Sequence, residues 1–249
     1  VNTIDDLNMD AVALTEHGNM FSVLPYYKQA KKAGIKPIIG CEIYVAVGSR
    51  FEKKTRSDGG WGNNHLILLA QNFIGYKNLM KLVTAGYLEG FYYRPRIDMD
   101  LLRQYSEGLI CMSACLKGVV PEKMLKGDYE GARKEALLFS EIFQDRYYLE
   151  IQNHGIPEEE QNLKNMKKLS QDLNLPLVCT NDAHYAKKEH WEAHDIHICL
   201  GTGKERSDPN RLRYATPEFY FKTQDEMHKL FKEFPGAIEN TRKIADSID

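Results

Sequence analysis

Ala11-Val12-Ala13-Leu14-Thr15-Glu16-His17-Gly18-Asn19 passes from an apolar run straight into glutamate, histidine and asparagine. A short continuous apolar run ending in polar and turn residues suits a strand covered on both faces. In a parallel α/β barrel, the chemistry gathers where such strands end. The same arrangement recurs along the chain. Gly40-Cys41-Glu42 interrupts a second apolar run, and Asn63-Asn64-His65 opens a third. Ser113-Ala114-Cys115 closes a fourth, Asn153-His154-Gly155 a fifth and Asn181-Asp182-Ala183-His184 a sixth. Six separate segments bring these side chains together only if the strands form a closed ring, which is the expected architecture. Strand side chains alternate, so Asp182 and His184 are expected on one face of an extended segment, as a chelating pair.

Strands are expected at residues 11–15, 37–47, 65–70, 109–114, 147–152 and 177–180, with a short one at 219–221. Helices are expected at 22–33, 75–87, 119–125, 129–143, 158–173 and 188–200, with terminal helices after 221. Strands alternating with helices imply parallel βαβ units. No G-x-G-x-x-G follows any strand, which removes support for a dinucleotide-binding sheet and favours the barrel.

The chain has 249 residues, 33 Lys+Arg and 35 Asp+Glu, a net charge of −2 that excludes a strongly basic nucleic-acid-wrapping domain and an acidic tail. Apolar runs such as residues 66–70 fall far short of a membrane span. The five cysteines are scattered without a C-x-x-C pair. Their number and spacing fit a reducing cytoplasm better than a disulfide framework. Residues 1–10 read as the tail of a helix, and 237–248 have helical periodicity without a cap. Both ends are therefore expected to be cuts in a longer protein.

Taken singly, each polar residue has a plain reading. A histidine at a strand end usually makes a hydrogen bond, Cys115 alone suits apolar packing, and Glu42 alone suits an ion pair. Together, imidazole, carboxylate and thiolate suit zinc, or manganese and iron where carboxylates dominate. Three weaker patterns read as structure. His190, His194 and His197 share a helix face, but Trp191 stands where H-E-x-x-H needs Glu. Gly201-Thr202-Gly203-Lys204 lacks the remaining P-loop residues and reads as a polar turn. The basic runs 28–36 and 50–56 read as solvated faces that, with Arg94, Arg96, Arg211 and Arg213, are candidates for DNA-backbone contact. Trp61, in a Gly-rich loop, is expected to be exposed or docked on a neighbour.

The segments Ala13–Asn19, Gly34–Glu42, His65–Ala70, Gly90–Asp98, Ser113–Gly118, Glu150–Gly155 and Asn181–Tyr185 resemble the PHP (polymerase and histidinol phosphatase) domain, in the form found at the N-terminus of bacterial DNA polymerase III alpha subunits. Stand-alone phosphatases of the superfamily generally lack Gly90–Asp98 and Phe219-Tyr220-Phe221-Lys222, which counts against that alternative. The resemblance covers essentially the whole chain. It implies a distorted β/α barrel of seven strands, with residues from about 205 onward leading toward a downstream polymerase domain. It also implies divalent metal ions, zinc foremost and up to three, held by His17, Glu42, His65, Cys115, Asp182 and His184. Glu16, His154 and Asn181 would stand behind them, and His17, Asp182 and His184 would act through water activated by the metals, as a 3′–5′ exonuclease or other phosphoesterase. Two departures from the family stand out. Its opening His-x-His motif is expected upstream of residue 1, leaving the shell here incomplete, and Glu16 replaces the usual Asp. The implied partners are DNA, a proofreading exonuclease and, through other domains, a sliding clamp, with no membrane. A non-catalytic module that stabilises the polymerase and docks the proofreading subunit is the competing expectation.

Overall fold

The structure is a computed structural model that describes residues 2–55 and 62–249. Val1, Arg56 and Trp61 lie outside the described residues. In chain order the elements are α1 (Asn2–Asp6), β1 (Ala11–Leu14), α2 (Val23–Lys32), β2 (Lys36–Ala46), β3 (Asn63–Ala70), α3 (Phe73–Leu88), β4 (Arg96–Ile97) and α4 (Met99–Gln104). They continue with β5 (Leu109–Met112), α5 (Val119–Leu125), α6 (Tyr129–Phe143), β6 (Tyr147–Ile151), α7 (Pro157–Leu173), β7 (Leu177–Cys179), α8 (Trp191–Thr202), α9 (Gln224–Leu230) and α10 (Glu239–Asp246). The helix starts are written locally. Asn72, Asp98 and Asp128 each accept a backbone N–H of the first turn, Pro157 opens α7, and Thr223 and Glu226 form a capping box on α9. None of the described helices is long and apolar enough to cross a membrane.

The strands form one curled sheet in the order β1-β2-β3-β5-β6-β7, with β4 beside β2. Two expectations need correction. The β2–β3 and β3–β5 pairs are antiparallel, whereas β1–β2, β5–β6 and β6–β7 are parallel. An apolar run carries no direction. Direction follows from the connection, and a parallel return needs a long crossover, usually a helix. Among the described residues between β2 and β3 there is no helix. The ring is also not closed by hydrogen bonds, since β1 and β7 are the two ends of the path and do not pair among the described residues. The result is a half-barrel, a distorted relative of the expected fold. The expected strand at 219–221 is a single bridge, Tyr185 to Tyr220.

Alternation divides the sheet into two faces. Cys41, Ile43, Leu66, Leu68, Cys111, Tyr147, Leu149 and Cys179 pack outward against apolar residues of α3 to α7, including Leu79, Leu102, Met124, Phe139 and Met166. Ile38, Ile67, Leu69, Ile110, Met112 and Val178 face inward, where Ile244, Ala245 and Ile248 of the C-terminal segment cover them. The Lys36 ammonium donates to the carbonyls of Ala245 and Ile248, Asp249 N donates to Gln71 O, and Asn240 donates to Leu177 O. The C-terminal helix thus fills one end of the curl. The polar inward residues are left at the other end.

The turn that carries Cys115 depends on Gly118. Gly118 N donates to Cys115 O at 2.8 Å, and a Cβ at Gly118 would lie 2.0 Å from Ser113 O. Gly118→Ala is expected to cost about 2 kcal/mol through overpacking, read as a lower urea midpoint at constant slope. An unchanged midpoint would show that the turn does not need the close approach.

Candidate metal centre

The β1–β2 pairing continues past both strands into the polar turn: His17 bridges Glu42, Gly18 N donates to Glu42 O at 2.8 Å, and Glu42 N donates to Glu16 O at 3.0 Å. This register sets the two side chains against each other. Glu42 is buried, and its Oε1 lies 2.8 Å from His17 Nδ1 and 2.9 Å from His65 Nδ1. Cys115 Sγ is 3.5 Å from His65 Nδ1. Ligand atoms of Glu42, His65 and Cys115 all lie within 4.8 Å of one another, so the three could hold a metal ion. Because β3 runs antiparallel, His65 reaches this end of the sheet from the start of its strand.

Burial would raise the Glu42 carboxyl, but the hydrogen bonds from His17 and His65 outweigh it and hold the group well below the usual carboxylate range. The Glu42 hydrogen bond in turn raises His17. Burial, with the charges of Glu42 and Asp182, pushes the Cys115 thiol far up.

His184 joins from the opposite edge. Its ring centroid is 5.5 Å from that of His17, and its Nδ1 donates to Asp182 O at 2.7 Å. Its Nε2 is buried and has no hydrogen-bond partner among the described residues. An imidazole anchored through one nitrogen with the other left bare is how a metal-ligating histidine is oriented. Asp182 does not sit on an extended segment. β7 has ended at Cys179, and Asp182 is left-handed, with φ 42°. A turn, rather than strand alternation, therefore brings Asp182 to 3.7 Å from His184 Nδ1. Burial and the Glu42 charge raise the Asp182 carboxyl, although nearby His184 opposes them.

The three supporting residues make different contacts. Glu16 accepts from Ser22 N and Oγ, both at 2.9 Å, at the start of α2. Buried His154 faces Glu159 at 2.6 Å and Asn181 O at 2.8 Å, and stacks on Phe219 with centroids 3.9 Å apart. Asn181 donates to the carbonyls of Glu218 and Tyr220. The 181–185 turn is thereby sewn to the 214–222 segment, which also accepts His184 N at Phe219 O.

Several neighbours escaped the sequence reading. Glu150, fully buried on β6, accepts from Ala114 N at 3.0 Å and from the Thr180 hydroxyl and Gln152 amide. Its fixed partners therefore lie one residue before Cys115 and two before Asp182. Burial pushes its carboxyl up to about 7. The signal was present: a lone Glu in the apolar strand Tyr147–Ile151. Tyr214 packs 4.8 Å from His184, and Tyr44 meets His65 edge-on at 5.3 Å, with Arg94 5.7 Å from the Tyr44 ring. Nothing in their spacing announces these contacts. His194 lies half-buried against His184 and Tyr214, while His190 and His197 are exposed. Of the arginines considered for DNA contact, Arg96 is buried and donates to the carbonyls of Gly90, Arg50 and Glu52. Arg211 is paired with Asp195 at 2.6 Å, whereas Arg94 and Arg213 are exposed. Gly203 ends α8 in a left-handed cap, the expected turn.

The donors fit a divalent metal of borderline softness: imidazole nitrogen, carboxylate oxygen and one sulfur, with a bare buried nitrogen among them. The PHP domain family matches residues 1–154. The chain is 52% identical over 242 residues to the DNA polymerase III subunit alpha of Borreliella burgdorferi, covering 97% of this chain and 21% of that protein. The corresponding figures for the Treponema pallidum protein of the same name are 46% over 246 residues, 98% and 21%. Those for the Thermus aquaticus protein are 41% over 242 residues, 96% and 20%. The chain spans about a fifth of the length of these relatives. With the family matched over more than half of its length, the chain belongs to the PHP domain family.

Proposed function

We propose that this chain is the PHP domain of a replicative DNA polymerase alpha subunit, and that His17, Glu42, His65, Cys115, Asp182 and His184 bind divalent metal, zinc foremost, to hydrolyse phosphoesters at a DNA 3′ end. The observation that carries the reading is the buried Nε2 of His184, without a hydrogen-bond partner among the described residues, on a ring 5.5 Å from that of His17, beside a carboxylate–imidazole–thiol cluster drawn from β2, β3 and the turn after β5. When bound, divalent ions would polarise phosphoryl oxygens and acidify water. The chain's own part is positional. Glu42 fixes two imidazoles through one oxygen, the Asp182 carbonyl orients His184, and exposed Arg94 is placed beside Tyr44 to meet a phosphate. Residues 1–249 are read as one unit, because the 214–222 segment is bonded to the 181–185 turn and α10 covers the inner sheet. The chain continuing from about residue 205 would lead toward the polymerase domain. DNA, a proofreading exonuclease and a sliding clamp are the partners of that longer protein, in a cytoplasmic setting.

A second reading, a metal kept for architecture, is favoured by Cys115, since thiolates are frequent in closed structural sites. Asp182→Asn separates the two. The hydrolytic reading expects metal content, by plasma mass spectrometry, to fall together with cleavage of a labelled single strand. Metal content unchanged would remove Asp182 from the shell, and wild-type protein that binds metal but cleaves nothing would leave the architectural reading.

A further inference from the structure

We propose that an unpaired DNA strand leaves the metal centre across an aromatic ledge formed by Phe21, Tyr87 and Phe91, with Arg94 taking the phosphate where ledge and centre meet. The proposal rests on the hydrolytic reading and adds the surface that would hold the bases of an unpaired substrate strand. Phe21 follows His17 by four residues and is 79% exposed. Its ring centroid lies 6.4 Å from that of Tyr87, and Tyr87 lies 6.1 Å from Phe91, with the latter two rings 28° apart. Tyr87 and Phe91 are 38% and 48% exposed. Three neighbouring rings open to water are costly for a surface that meets nothing.

The ledge adjoins the centre. A Cβ on Gly18 would lie 2.8 Å from both Pro95 and Tyr44, so the turn after His17 touches the 91–95 loop directly. Arg94 lies over the Tyr44 ring, and Tyr44 in turn meets His65 edge-on at 5.3 Å. Among the described residues no carboxylate pairs with Arg94, which is exposed in a chain of net charge −2. The loop is held rigidly: buried Arg96 binds three backbone carbonyls, and a Cβ on Gly90 would lie 1.8 Å from Arg96 O. Tyr93 is fixed at φ 58°, a conformation an aromatic residue adopts only under constraint.

A row of exposed rings beginning at an unpaired cation suits single-stranded nucleic acid, because every base offers a face to stack and every link a phosphate. A duplex keeps its bases stacked on one another and gains nothing from the rings.

The test is anisotropy of a short fluorescein-labelled oligothymidylate, titrated in chelator so that hydrolysis plays no part. Phe21→Ala with Phe91→Ala is expected to weaken binding at least about tenfold, and to change binding of a duplex of equal length less than twofold. Phe91→Trp is expected to bind as wild type, and Arg94→Gln to reduce the salt slope of log K by about 0.7. Both phenylalanines are exposed, so thermal melting is expected to stay unchanged. Wild type that fails to bind the single strand, or an alanine variant that binds it equally well, overturns the ledge. So does a variant whose only change is loss of self-association in sedimentation, which would assign the rings to a second copy of the chain. Ledge-dependent binding without cleavage after metal is restored would keep the ledge and sink the hydrolytic reading.

Discussion

Replacing Glu42 with alanine is expected to weaken zinc binding by more than about 100-fold, beyond the loss from removing a mere orienting partner of a ligand. Its Oε1 is the point on which His17 and His65 converge, at 2.8 and 2.9 Å, and it lies within the same small volume as Cys115 Sγ. Glu42→Gln keeps the volume and one acceptor, and an intermediate loss is expected. A competitive chelator titration reads both, and an affinity within threefold of wild type would exclude Glu42 from the centre. The metal-free protein carries its own signature. The lowered carboxyl contributes stability that is complete above its ordinary value of 4.5 and is lost as pH falls through its native value. The raised His17 contributes stability that is complete below 6.5 and is lost as pH rises through its native value. The bridge is therefore strongest between those two values, and metal uptake there must displace protons.

Glu150→Gln is expected to remove a pH dependence of about 3 kcal/mol. The carboxyl is fully buried and is pushed up to about 7 from an ordinary value of 4.5, mainly by burial and further by the charges of Asp182 and Glu42. Its folded-state value is raised, so its contribution is complete below pH 4.5 and is lost as pH rises through about 7. Urea unfolding of metal-free wild type and variant across that interval gives a difference curve that isolates Glu150 from His17, which titrates in the same direction. Wild type is expected to hold its advantage at the acid end, where the buried carboxyl is neutral, and to lose it at the alkaline end, where burial opposes ionisation more than the donors Ala114, Thr180 and Gln152 favour it. Parallel curves would show that the carboxyl does not keep its proton at neutral pH.

Local signals in the sequence were strong where the structure is local. Val119–Leu125 and Tyr129–Phe143 are helices over the residues that periodicity indicated, because their apolar faces repeat within one element. Strand positions were legible for the same reason. Strand direction was not, since it belongs to the connection rather than the run. β4, two residues long, pairs only through its neighbours and left no pattern to read. At the site, the residues that carry distinctive chemistry announced themselves in Glu16-His17, Glu42 and Asp182-x-His184. Those that matter through placement did not. Tyr214, Tyr44 and Glu150 look like ordinary strand and loop residues until the curl sets them beside the polar cluster. Arg96 and Arg211 show the converse: arginines that looked available for DNA are consumed by carbonyls and by Asp195.

Lys36 opens the strand that carries Glu42, and its ammonium is gripped by the carbonyls of Ala245 and Ile248. A strand rises about 3.3 Å per residue, so some 20 Å of stiff backbone separates that grip from the carboxylate. β2 is in this sense a push-rod. The last helix and the oxygen on which two imidazoles converge are held by one strand, so a shift in the seating of residues 245–248 is expected to be felt in the geometry of the centre.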